Sequence, residues 1–152
     1  MTTAIESPLA VGTKAPDFDL KAHTGQQIKL SDYAGKNLIV VFYPKDQTPG
    51  CTQQLCALRD DMSHFAGLNT DIIASNPDSA ESHTRFADAQ QYKFPILVDP
   101  EKTMAKAYHA LKPEGGIQRT VYIIDKTGVI RYAKQGLPPD TELEAAIRDF
   151  DA

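Results

Sequence analysis

Leu38-Ile39-Val40-Val41-Phe42-Tyr43 runs directly into Pro44-Lys45-Asp46-Gln47-Thr48-Pro49-Gly50-Cys51-Thr52-Gln53-Gln54-Leu55-Cys56. The opening run is apolar throughout and rich in β-branched residues, the pattern of a strand buried on both faces. A proline ends it and a short polar loop follows. A helix is then predicted from Pro49, where a missing N–H costs nothing, with Thr48 in the N-cap position. Cys51 becomes the third helical residue. There the unpaired amides of the first turn and the positive end of the helix dipole favour a thiolate. A cysteine packed as a small apolar side chain is the competing reading of the same position. Both cysteines of the chain lie in this stretch.

Working outward, strands alternate with helices. Residues 18–20 and 26–30 flank Gly25 as an opening hairpin, and residues 31–33 suit a short helical turn. The helix from Pro49 is expected to reach about Phe65, before Gly67. A strand is expected over 70–74, a helix over 78–92 with Asp78 and Glu81 as its capping pair, and a shorter helix over 103–110. Residues 119–125 and 129–134 form a second hairpin about Lys126-Thr127-Gly128. Residues 141–150 close the chain as a helix. No repeat, low-complexity segment or linker interrupts this order, and residues 1–152 are read as one domain. The fold class is α/β, with a mixed central sheet flanked by helices and a hairpin near the N-terminus.

The spacing of the cysteines carries its own geometry. On an ideal helix Cys51, Leu55, Leu58, Met62 and Phe65 fall within about 40° of one line, the stripe expected to face the sheet. Cys56 lies about 140° round the helix, with its Cα roughly 8–9 Å from that of Cys51. A disulfide needs Cα atoms within roughly 7 Å, so the pair can bond only if the first turns unwind. A structural thiol and a metal ligand are the other readings of Cys56. Zinc sites pair cysteines two to four residues apart with further ligands to match, and nothing in the sequence completes such a set.

Composition narrows the function. The chain has 152 residues, a formal net charge of −4 and interspersed charges, which argues against a nucleic-acid or anionic-membrane partner. No apolar stretch approaches the ~20 residues that span a bilayer. The leading residues have neither the basic flank nor the apolar core of a secretory signal. Two cysteines without an export signal point to a reducing, cytoplasmic setting, where thiols are kept for chemistry.

Pro44, Thr48 and Cys51 form Pro-x-x-x-Thr-x-x-Cys, the active-site signature of the peroxiredoxins. The string from Tyr43 to Thr52 resembles the bacterioferritin comigratory protein, or peroxiredoxin Q, branch. Further matches follow in order along the chain. They are Gly12-x-x-Ala15-Pro16-x-Phe18, Asn76-Pro77-Asp78-Ser79-x-Glu81-Ser82-His83, Phe94-Pro95-Ile96-Leu97-x-Asp99-Pro100 and Gly116-Ile117-x-Arg119-Thr120. The resemblance implies a thioredoxin-like fold, no cofactor, and an antioxidant peroxidase acting on hydrogen peroxide and organic hydroperoxides. It implies Cys51 as the peroxidatic thiolate, Thr48 offering a hydroxyl beside the sulfur, and Pro44 covering the thiolate's flank. It places the cation at Arg119, which the sequence alone reads as a solvated strand-end residue. Cys56 would resolve the Cys51 sulfenic acid as an intramolecular disulfide, and a thioredoxin or glutaredoxin-type dithiol would reduce it. Relatives of this kind are often monomeric. One position departs from the family, which carries Glu where this chain has Gln54: shape and hydrogen bonding survive and the charge is lost.

Two other functions compete. A thiol–disulfide oxidoreductase of the same fold would show Cys-x-x-Cys, whereas four residues separate Cys51 from Cys56. A non-catalytic binding or chaperone module would be favoured by loss of Thr48 or Arg119, and both are present. His23, His64, His83 and His109 are scattered and read as surface or hydrogen-bonded structural residues, since an ionised thiolate needs no base. Lys45 and Asp46 lie in the active-site loop and could tune the field there, but read first as solvated loop charges.

Overall fold

The computed structural model describes residues 7–151. The expectation drawn from the leading residues, Met1 to Pro8, falls mostly on 1–6, outside the described residues. Strands β1 (Asp19–Lys21) and β2 (Gln27–Lys29) make a small antiparallel hairpin, followed by a 3-10 turn over Leu30–Tyr33. The central strand β3 (Asn37–Phe42) leads into α1 (Pro49–Asp60) and α2 (Met62–Ala66). Then come β4 (Thr70–Asn76), α3 (Ala80–Gln90), β5 (Ile96–Val98) and α4 (Thr103–Ala107). The hairpin β6 (Thr120–Ile124) and β7 (Ile130–Gln135) precedes α5 (Asp140–Phe150). The large sheet runs β5-β4-β3-β6-β7, with β3–β4 and β4–β5 parallel and β3–β6 and β6–β7 antiparallel.

The apolar run of β3 is uninterrupted because each face of the strand meets its own core. Ile39, Val41 and Tyr43 join Leu55, Leu58, Phe65, Phe86, Leu143 and Ile147 on the side of α1, α2, α3 and α5. Leu38, Val40 and Phe42 point the other way, into Ile28, Met104 and Tyr108 beside the hairpin and α4. The residues of the expected stripe are in place across α1 and α2: Cys51, Leu55, Leu58 and Phe65 are buried in the first core and Met62 packs against it.

Three expectations about elements are corrected. The helix from Pro49 is not continuous to Phe65; at Asp61 the backbone moves to φ −98, ψ 7 and α2 begins afresh. Residues 96–98, to which no element is assigned from the sequence, form β5, whose identity comes from pairing with Ala74, Ser75 and Asn76 of β4 rather than from its length. The middle helix starts at Ala80, and its cap is Ser79, which accepts from the Ser82 amide, not Asp78. Glu81 instead pairs with Arg85 one turn on.

The turn between β6 and β7 is held by Asp125. Its Oδ1 accepts from the amides of Thr127 and Val129, and its Oδ2 takes Arg131 Nε at 2.8 Å. Burial pushes this carboxyl up, but Arg131 and the Thr127 and Val129 donors outweigh burial and hold it at about 2, below the usual 3.8. A depressed carboxyl stabilises the fold above its ordinary value and loses that contribution as pH falls toward 2. Asp125→Asn should cost about 1–2 kcal/mol at neutral pH. Urea unfolding at pH 7 and pH 3 checks it: the gap between variant and wild type should shrink at the lower pH.

Candidate active site

The site forms where β3 ends beside the start of β6. Phe42 pairs with Thr120, so the chain leaving β3 at Pro44 lies next to the chain entering β6 at Arg119. These two segments, with Ile117 and Leu137, line an open cleft of about 450 Å³. Leu137 is 52% exposed, an unusual state for a large apolar side chain and one that makes it part of the cleft wall.

Helix α1 enters this corner as its sequence predicts. Pro49 is the first helical residue, Thr48 has extended N-cap backbone (φ −84, ψ 151), and Thr52 N bonds Thr48 O at 2.8 Å. The Thr48 hydroxyl, however, does not cap the helix and is not bonded to the sulfur. It donates to Lys45 O at 3.0 Å and so closes the loop on itself. Gln47 adopts φ 61, a left-handed conformation that tightens the same loop.

Cys51 is fully buried at the first turn. Arg119, 68 residues further along the chain, donates through Nη1 to Cys51 Sγ at 3.3 Å and to Gln54 Oε1 at 3.3 Å. The guanidinium lies over Gly50, where a Cβ would stand in ordinary contact, 3.4 Å from Arg119 Nη2 and 3.9 Å from Cζ. Gln54 therefore keeps the hydrogen bond to the arginine that its shape allows, one turn from the sulfur and without a charge. The Arg119 main chain is fixed in turn by Gly136 N, which bonds Arg119 O at 2.9 Å across the end of β7.

Cys56 is half-buried on another side of α1, and both cysteines are free thiols. Cys56 Sγ lies 3.4 Å from Gln90 Oε1 and 3.4 Å from the Tyr92 hydroxyl. That hydroxyl also donates to Thr52 O at 3.4 Å, and the ring stacks on Phe94. Burial first, and then the bond to Cys56, pushes the Tyr92 phenol well above its ordinary value, so it stays a neutral donor. Tyr92 thus struts the first turns of α1, a role with no signal in its sequence neighbourhood.

The loop charge Asp46 is not solvated. It is buried and accepts four side-chain donors: Tyr43 Oη at 2.5 Å, Asn76 Nδ2 at 3.3 Å, Ser82 Oγ at 2.8 Å and His83 Nδ1 at 2.6 Å. Its amide donates to Asp78 Oδ2 at 2.8 Å, which explains why Asp78 does not cap α3. Burial pushes the Asp46 carboxyl up, but the hydrogen bonds from His83 and Tyr43 prevail and hold it below the usual range. Among the described residues no group of three or more His, Cys, Asp or Glu is arranged to hold a metal ion, and no helix is long and apolar enough to cross a membrane.

The chain is similar to known proteins. Residues 11–133 match the AhpC/TSA family. Peroxiredoxin Bcp of Bacillus subtilis is 42% identical over 127 residues, 79% of this chain and 81% of that protein. Peroxiredoxin Bcp of Escherichia coli is 34% identical over 133 residues, 83% and 85% of the two chains. The structure of Xanthomonas campestris Peroxiredoxin Q matches with a TM-score of 0.79 at 26% identity, over 88% of this chain and 89% of that one. The fold is accordingly the thioredoxin-like one, with the β1–β2 hairpin as its N-terminal addition.

Proposed function

The chain belongs to the AhpC/TSA family and is a peroxiredoxin, a thiol-dependent peroxidase, and we propose that it reduces its peroxide at Cys51. The observation that carries this reading is the 3.3 Å bond from Arg119 Nη1 to a fully buried sulfur at a helix N-terminus. A permanently charged donor, the free amides of the first turn and the helix dipole all stabilise the same anion. The thiolate attacks one peroxide oxygen and the O–O bond breaks. The sulfur gains that oxygen as sulfenic acid, and the other oxygen leaves with the electron pair and takes up a proton. Arg119 holds both the thiolate and the charge that develops on the leaving oxygen. Pro44, with no N–H and a rigid ring, covers the flank of the site. Thr48, whose hydroxyl closes the loop on Lys45 O, stands three residues before Cys51 and offers that hydroxyl to the peroxide.

Cys56 is the resolving thiol. Its sulfur displaces water from the sulfenic acid, and the resulting Cys51–Cys56 disulfide is reduced by an external dithiol of the thioredoxin or glutaredoxin kind. With α1 continuous from Pro49 to Asp60, the two sulfurs cannot meet without unwinding its first turns. Reduced protein given one equivalent of hydrogen peroxide should lose two free thiols within seconds, all of it intramolecular. Amide exchange over residues 50–60 should accelerate and the far-UV helix signal fall. Cys56→Ser should react once and stop at sulfenic acid, keeping its protection. Purely intermolecular disulfides, or full protection of the oxidised wild type across residues 50–60, would remove Cys56 from the mechanism.

A further inference from the structure

We propose that His83 is a positioning residue for the peroxide step, an imidazolium whose charge cancels that of Asp46 beneath the Cys51 loop. His83 and Asp46 have side chains 0% and 2% exposed, so neither can turn to water for a partner. His83 Nδ1 is 2.6 Å from Asp46 Oδ2, and His83 Nε2 is 3.0 Å from Leu97 O. A main-chain carbonyl only accepts. Asp46 also only accepts, because the donors gathered round it, the hydroxyls of Tyr43 and Ser82 and the Asn76 amide besides His83, hold it as a carboxylate. A neutral imidazole has one N–H and would leave one of these buried contacts without a hydrogen. Both contacts are made when both ring nitrogens carry protons.

Among the described residues no other cation is bonded to Asp46. The end of β3 offers Tyr43, whose phenol is raised well above its ordinary value, by burial and then by Asp46, and which stays neutral. The loop before α3 offers Asp78, bonded to the Asp46 amide. The turn after β1 offers His23, whose imidazole is pushed down, first by burial and then by His83, and whose Nδ1 accepts from Ile96 N at 3.2 Å. Asp46 lies in the loop that leads to Cys51, and Tyr43, whose hydroxyl donates to Asp46, shares the core that encloses Cys51. Without the imidazolium, a bare carboxylate would sit in the loop that leads to the reactive thiolate and oppose its ionisation. Paired, Asp46 fixes the loop through its hydrogen bonds at no electrostatic cost to Cys51.

This inference rests on the reading of Cys51 as the reactive thiol, and its test separates the two. Nitrogen-resolved NMR of the reduced wild type at pH 7 should show two ring N–H protons on His83; a single one would overturn the proposal whatever the variants do. Alkylation of Cys51 by iodoacetamide, located by mass spectrometry, then reads the thiolate without any peroxidase assay. In His83→Gln the rate at pH 7 relative to that at pH 10 should fall about ten-fold, because Tyr43, Ser82 and Asn76 still hold Asp46 as a carboxylate without its cation; an unchanged ratio would overturn the proposal. In the double variant Asp46→Asn with His83→Gln the ratio should return close to wild type, since no charge remains to compensate. A double variant as slow as the single one would make His83 merely a packing residue and overturn the proposal.

Discussion

Cys51→Ser is expected to abolish dithiol-supported peroxide consumption while the protein remains folded. The site is built around one atom. Cys51 is enclosed by Tyr43, Leu55 and the rest of the first core, where serine occupies nearly the same space. The change therefore removes sulfur chemistry and little packing. A serine hydroxyl at this position has no accessible anion at neutral pH, and among the described residues no base is bonded to this position to make one; Arg119 is a donor only. Cys56 cannot take over. It lies against Gln90 and Tyr92 in the middle of α1, away from the helix N-terminus at which Arg119 meets Cys51. The measurement is peroxide loss with excess dithiol, alongside circular dichroism and a thermal transition to establish the fold. Substantial turnover in a folded Cys51→Ser protein would move the peroxidatic role elsewhere in the chain.

The part of the site that was legible in the sequence is the part encoded locally. An unbroken apolar run, a proline, a polar loop and Thr48-Pro49 specify a strand, a turn and a helix start among near neighbours in the chain, and Cys51 falls where they put it. The alternating faces of β3 and the stripe of α1 follow from periods of two and 3.6. What was not legible depends on partners distant in the chain. Arg119 reaches the sulfur because Phe42 pairs with Thr120, a register that no pattern near Arg119 announces, so only the family resemblance marked it. Asp46 looks like any loop carboxylate until β4 and α3 close over it with Asn76, Ser82 and His83. Strand β5 is three residues long and becomes a strand by lying beside β4. The hydroxyl of Thr48 points to Lys45 because the loop needs an internal closure around Gln47, and cap statistics do not contain that competition.

Arg119→Ala should slow the reaction with peroxide by roughly 10²–10³, the scale for losing one preorganised donor at a centre where charge develops. The side chain does two things that alanine cannot. It donates to Cys51 Sγ and Gln54 Oε1 at once, so its plane is fixed across the mouth of the buried sulfur. It also carries a charge that needs no proton uptake to be present at the moment of reaction. Removing it leaves a buried thiolate stabilised only by the amides of the first turn, so the thiolate fraction at neutral pH should fall together with the rate. Arg119→Lys distinguishes charge from geometry. Lysine keeps the cation but is a point donor that cannot reproduce the planar fork packed on Gly50. Its rate should lie between alanine and wild type, closer to alanine if holding sulfur and peroxide together matters more than the charge alone. Stopped-flow rate constants with hydrogen peroxide, measured on the reduced proteins before any recycling step, isolate this reaction from the later opening of α1. If Arg119→Ala reacts as fast as wild type, the stabilising cation is another residue, and the 3.3 Å contact at the helix start is structural.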